Sequence, residues 1–260
     1  MKRHWKKLVI ALAALVVVVI GGSFLYAKVF NKADPAFGQR DVEKKLAAAE
    51  SSTVAPAGVA GVGPTVALDP AAPAPTTTAG ASQGATTGAD GTWTIKEGSE
   101  VGYRVKESIN GFGTTANGRT QSITGSMIAS GTTITGGQFT VDMTTFKSDE
   151  SKRDAQFNGR VMAVGTFPTS TFVLTQPIDF GTIPPDGGTV TASATGDLTL
   201  HGTTNPVTFD VQGTFKNGLV AVLGQIPVVF ADYGIPAPSL GTVRTEDNGL
   251  LEFVLVLERK

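Results

Sequence analysis

The chain has 260 residues, a formal net charge of -1, two histidines and no cysteine. A charge so close to neutral gives no electrostatic basis for binding nucleic acid. Lacking cysteine, the chain has no disulfide, thiolate metal site, cysteine nucleophile or lipidated thiol, and His4 and His201 are too few for an imidazole metal cluster.

Lys2, Arg3, Lys6 and Lys7 precede an uncharged, mostly apolar run over residues 8–27. As a helix, such a run is about 30 Å long, the thickness of a bilayer core. Cations ahead of it favour a cytoplasmic N-terminus and place the rest of the chain outside. A cleaved signal peptide, with residues 8–20 as its apolar region and 21–23 as its small-residue site, is the rival. No A-x-A pattern occurs there, and bulky Phe24, Leu25 and Tyr26 follow at once, which favours an uncleaved signal anchor.

Residues 31–50 carry mixed charges, and 41–50 form at most a short juxtamembrane helix without a wide apolar stripe. A solvated stalk is the expectation. Residues 51–91 are dominated by Ala, Gly, Thr, Ser and Pro, and Asp69 and Asp90 are their only charges. Such a composition cannot bury enough apolar surface to offset its ordering entropy, so a disordered linker is expected. The expected divisions are therefore a cytoplasmic tail (1–7), a transmembrane anchor (8–27), a stalk and linker (28–91) and a folded domain (92–260).

Within the domain, apolar and polar residues alternate in short runs. Period-two alternation puts one apolar face on each strand. Strands are expected at 93–95, 101–106, 120–129, 134–143, through Phe172 and Leu174, at 190–200, 207–211, 218–230 and 249–258. Residues 110–118 are glycine-rich and read as a loop. Charges at Asp149, Glu150, Lys152, Arg153 and Asp154, followed by Phe157, Val161 and Met162, suggest a short helical insertion. Gly202, Thr203, Thr204, Asn205 and Pro206 separate two alternating runs as a turn, with Pro206 opening the second strand but not lying inside it. The last strand is apolar on both faces, so both faces are expected to be covered. About eight short strands with Gly-rich turns and one helical insertion suit an all-β antiparallel barrel or sandwich.

Chemical motifs are sparse. No dinucleotide fingerprint, P-loop or nucleophile elbow occurs. His201 lies beside Asp197 and Asp210 in sequence, but a histidine at a hairpin end more often hydrogen-bonds a turn than performs catalysis. Arg153 and Asp154 are adjacent on a helix, so their side chains diverge and anchor the helix to its neighbours. No enzyme activity and no cofactor is expected.

The run G-D-L-T-L-H-G-T-T-N-P-V over residues 196–207 resembles a signature of the YceI-like family. Further motifs agree in order: Trp93 with Ile95 and Ser99, Ser148 with Arg153, Asp154 and Phe157, F-P-T-S-T-F at 167–172, and D-Y-G-I at 232–235. The second strand lacks the histidine common in that family, and Phe230-Ala231-Asp232 lacks its arginine. The resemblance covers residues 93–258. It implies a lipocalin-like barrel in the bacterial cell envelope that holds a long isoprenoid or similar amphiphile.

Pattern alone leaves the apolar faces open between a dry filled core and a tunnel, since an eight-stranded barrel accommodates either. With the resemblance, the expected ligand-lining residues are Phe139, Phe172, Leu174, Phe209 and Phe253. The expected partners are a long-chain isoprenoid or fatty lipid and the membrane, with the domain extracytoplasmic. The alternative is a cell-envelope interaction module with a filled core.

Overall fold

The computed structural model describes residues 33–52, 89–236, 238–239 and 241–260. The expected transmembrane run (8–27) and most of the expected linker (53–88) lie outside the described residues. Among those described, no helix is long and apolar enough to cross a membrane.

Strands β1 (Gly91–Ile95), β2 (Glu100–Ile109), β3 (Phe112–Thr120), β4 (Ile123–Ser130), β5 (Thr133–Asp142), β6 (Thr169–Leu174) and β7 (Ile178–Asp179) are followed by β8 (Thr189–Leu200), β9 (Thr203–Lys216), β10 (Leu219–Val229), β11 (Val243–Thr245) and β12 (Asn248–Arg259). Eight of them close an antiparallel ring, β1-β4-β5-β6-β8-β9-β10-β12 and back to β1. The length of β12 makes closure possible. One edge pairs with β10 from Asn248 to Glu258, while the other meets β2 at Leu250–Val254 and then β1 at Leu257–Arg259. Strands β3 and β11 extend the wall from β2.

The expected helical insertion is present. It comprises a 3-10 turn (Met143–Thr145), helix α2 (Ser151–Gln156) and a π-helical turn (Phe157–Val161). Glu150 caps α2 by accepting from the Lys152 amide. Arg153 and Asp154 diverge: Arg153 pairs with Asp149 and, at 3.5 Å, with Glu107, while Asp154 accepts from the Ser148 amide and hydroxyl at 2.8 and 2.7 Å.

Three local expectations need correction. The glycine-rich stretch 110–118 is mostly strand, because β3 pairs with β2 from Val101↔Thr120 to Ile109↔Phe112. Its polar, glycine-rich sequence hides the alternation, and the pairing rests on backbone hydrogen bonds. The hairpin turn is His201–Gly202, not 202–206. Both residues have positive φ, 51° and 77°, as a tight two-residue turn requires. Pro206 lies inside β9, opposite Asp197. It is tolerated because β10 pairs with β9 only from Val211 onward, so the missing N–H interrupts no ladder there.

The third correction concerns the stalk. Residues 39–52 form helix α1 (Gln39–Ser52), which lies on the outer wall of the barrel. Val42, Leu46 and Ala49 repeat at helical spacing and are buried against Leu219, Ala221, Val254 and Val256. Phe37 joins this cluster, with the Arg119 guanidinium 4.0 Å above its ring. Lys45 donates to the Gly98 carbonyl and to Glu100, at 2.8 and 2.7 Å. Beneath the segment leading into the helix, fully buried Glu252 accepts from Arg104 and Arg119, which also donate to the Asp34 and Pro35 carbonyls. This strap covers the outer face of β12.

The barrel has two ends. At the first lie the start of β1, the turn after Ser130, the Asn217–Gly218 turn and the loop before Thr189. At the second lie the Asn110–Gly111 and His201–Gly202 turns, α2 and the 3-10 helix Phe230–Tyr233.

Candidate functional site: the barrel interior

Alternation along each strand delivers one set of side chains to the interior. Ala194, Leu198 and Leu200 of β8 and Phe209 and Val211 of β9 are buried there, as the period-two pattern requires. The interior is not filled. A cavity of about 200 Å³ opens near the first mouth, and its walls are almost wholly apolar.

All five residues expected to line a ligand site, Phe139, Phe172, Leu174, Phe209 and Phe253, lie on this cavity. Phe209 sits between two of the others in edge-on contacts, 5.5 Å from Phe172 and 6.1 Å from Phe253. Trp93 also lines it; the ring is 2% exposed, and its N–H donates to the Ala89 carbonyl at 2.7 Å.

The cavity has an identifiable cause. Several large rings lie over glycines of the neighbouring strand: Phe139 over Gly125, Phe172 over Gly196, Phe253 over Gly224, and Tyr103 over Gly118. A Cβ added at Gly118 would sit 2.6 Å from Tyr103 Cε1, and one at Gly125 would sit 2.7 Å from Phe139 Cδ1. At Gly196 and Gly224 it would overlap the ring outright. With no side chain opposite, each ring lies down on the wall and leaves the middle of the barrel open. These glycines are the site-shaping residues that sequence reasoning missed. The signal was present as Gly125, Gly196 and Gly224 inside alternating runs, but it becomes legible only with the strand register.

A second chamber of about 330 Å³ lies toward the second mouth. Met143, Phe146, Leu200 and Leu251 line both chambers and form the partition between them. Tyr103 stacks on Phe157 at 4.7 Å, and Phe146 packs against both rings. This chamber is more polar at its rim, where Glu107, Glu150, Lys152 and Arg153 gather. Burial pushes the Tyr103 phenol well above its ordinary pKa, with Arg153 opposing that shift.

His201 is not among the residues that line either chamber. Its Nδ1 lies 3.2 Å from the Tyr233 carbonyl, which can only accept, so that nitrogen carries the proton. Its ring packs 4.7 Å from Phe167. Among the described residues, no group of three or more His, Asp or Glu is placed to hold a metal ion.

Comparison with known proteins agrees with this architecture. Residues 93–257 match the YceI-like domain. A polyisoprenoid-binding domain from Saccharophagus degradans superposes with a TM-score of 0.53 at 15% identity, covering 65% of this chain and 98% of that one. BcnA of Burkholderia cenocepacia gives a TM-score of 0.49 at 21% identity, covering 62% of this chain and 98% of its own. No curated protein matches the chain significantly.

Proposed function

Because the chain belongs to the YceI-like family, we propose that it is a non-enzymatic carrier. It holds a long-chain isoprenoid or related amphiphilic lipid inside the barrel. The observation that carries this proposal is the hollow, almost wholly apolar interior lined by Phe139, Phe172, Leu174, Phe209 and Phe253. Each CH₂ transferred from water into such a lining gains about 0.8 kcal/mol. A few isoprene units would therefore offset much of the roughly 4–15 kcal/mol cost of association. The description of the Saccharophagus domain as polyisoprenoid-binding supplies the ligand class. The two chambers weigh against the filled core of the alternative, the cell-envelope interaction module.

Localisation belongs to the same proposal. Residues 8–27 are the signal anchor, the cations before them stay in the cytoplasm, and the barrel is displayed outside the cell membrane. Such a position suits a lipid carrier, since the cargo is nearly insoluble in water and is collected from a bilayer.

The test uses a chain beginning at residue 33, which keeps α1 and leaves Trp93 as the one tryptophan. Native mass spectrometry and organic extraction identify any lipid that accompanies it. After delipidation, titration with polyprenyl and fatty-acyl ligands should change Trp93 emission. It should also raise Tm with ligand concentration, as expected for a ligand that binds only the folded state. No co-purified lipid together with no emission change and no thermal shift would refute the carrier.

A further inference from the structure

The strap also fixes where the barrel sits. Glu50 receives a hydrogen bond from Asn217, so α1 ends at the first mouth. Gln39 at its start bonds Gln212, which pairs with Leu223, itself opposite Val254. Further back, Asp34 meets Asn117 and Arg104, and Arg104 pairs with Leu250. Traced toward the N-terminus, the strap therefore descends the outer wall toward the second mouth.

Distances along β12 make the asymmetry quantitative. From the level of Asp34, at Arg104 and Leu250, β12 ends about 7 Å away at Asn248, while the Asn110–Gly111 turn that rims the second mouth is about 20 Å away along β2, at 3.4 Å per residue. The first-mouth end of β12 at Glu258 is about 27 Å away on the same scale. Residue 27 ends the apolar run, and the chain from there to residue 33 spans at most about 20 Å. Strand tilt of about 40° shortens these strand distances in proportion and keeps their ratios.

The long Ala/Pro/Thr/Gly segment does not loosen this tether. Residues 53–88 join Ser52 to Ala89, and α1 and β1 are both already attached to the barrel. With residues 8–27 read as the anchor, it is residues 28–32, not 53–88, that lie between the anchor and the docked strap in sequence.

We propose that the docked strap holds the barrel against a lipid bilayer with the second mouth facing the membrane, and that apolar cargo passes between bilayer and barrel through the Tyr103–Phe157 chamber. The proposal rests on the membrane-anchored carrier described above and adds its orientation and its entrance. The cargo's route then crosses the partition of Met143, Phe146, Leu200 and Leu251 to reach the first chamber.

The chain has no cysteine, so one introduced thiol gives a unique label. Full-length protein would be placed in phosphatidylcholine liposomes containing lipids with a headgroup quencher. A dye at Glu246→Cys, on the exposed rim of the second mouth, should lose most of its emission. One at Thr182→Cys, on the first mouth, should lose little. A Gly/Ser insertion after Lys28 should narrow that difference without touching the barrel, and Leu46→Asp should do the same by releasing the strap. Equal quenching at the two positions, the reverse order, or failure to enter liposomes would overturn the orientation. Trp93 titration of the chain beginning at residue 33, which lacks Trp5, reports cargo binding separately, so loss of the carrier function is distinguishable from loss of orientation.

Discussion

Strand β12 shows two treatments of apolar surface within one run of residues. Its outward side chains, Glu252, Val254 and Val256, are completely buried beneath the strap. Its inward side chains Leu251, Phe253 and Leu255 line open space. Both sets are rich in β-branched, aliphatic or aromatic residues, so composition does not separate them. What differs is the partner. The outer face meets α1, whose Val42, Leu46 and Ala49 fill the contact; the inner face meets rings that have lain down over glycines. Apolar surface packed against the protein's own chain contributes stability, and apolar surface left uncovered inside a barrel is available for cargo.

The largest effect should come from the outer face. Glu252→Ala removes a fully buried carboxylate from Arg104 and Arg119, whose side chains are only 15% and 19% exposed. Leaving such charges without their partner costs about 3–5 kcal/mol. Urea unfolding should show that loss, and an effect below about 1 kcal/mol would mean the strap does not seal the pair. Leu46→Ala should follow at about 2–5 kcal/mol, the usual cost of emptying a packed aliphatic site.

The inner face should behave oppositely. Phe253→Ala is expected to cost less than the roughly 3 kcal/mol at the low end for a close-packed phenylalanine, because its ring borders a void. It should nevertheless weaken the thermal shift produced by polyprenyl ligands. If it destabilises the apo-protein as much as Leu46→Ala does, the contrast between the faces fails. Gly224→Val tests the origin of the void, since the new side chain must lift Phe253 into the cavity. Overpacking of this kind costs about 1–3 kcal/mol. Ligand response should fall further than it does in Phe253→Ala, which enlarges the same space.

The smallest effect concerns acid. Hydrogen bonds from Thr144 hold the Asp142 carboxyl below its usual range, and those from Gly181 and Thr132 do the same for Asp179. A carboxyl with a depressed folded-state pKa stabilises the protein above its unfolded value, and that contribution is lost as pH falls through the folded value. Asp142→Asn and Asp179→Asn should each flatten the fall in stability below about pH 4 slightly, while leaving ligand response unchanged. Both groups are surface-exposed, so a large change in the acid limb would point to a different set of carboxyls.

The inward face was legible from sequence wherever apolar residues alternate cleanly. Leu198 and Leu200, then Phe209 and Val211, fall where period two puts them, and Phe139, Phe172, Leu174 and Phe253 reach the same interior. The double-sided pattern of β12 implied a cover on both faces; the outer face has one in α1, while the inner face is enclosed by the barrel but borders the cavity. What the pattern could not name was the outer cover, because α1 lies some two hundred residues earlier and presents only a narrow stripe among charges. Strand β3 was hidden for a related reason: in FGTTANGRT, almost nothing is apolar, and its place is set by pairing with β2. Cavity against filled core was also beyond sequence pattern. That distinction depends on which glycine faces which ring, a matter of register between strands.

The strap has one further consequence. The covalent path from α1 to β1 runs through residues 53–90 alone. A protease cutting anywhere in that segment would not immediately separate the barrel from α1. The two fragments would stay together through Phe37, Val42, Leu46 and Ala49, the arginine contacts to the Asp34 and Pro35 carbonyls, and the Lys45 bonds. The fragments would then separate at the dissociation rate of a two-part complex rather than at the moment of cleavage.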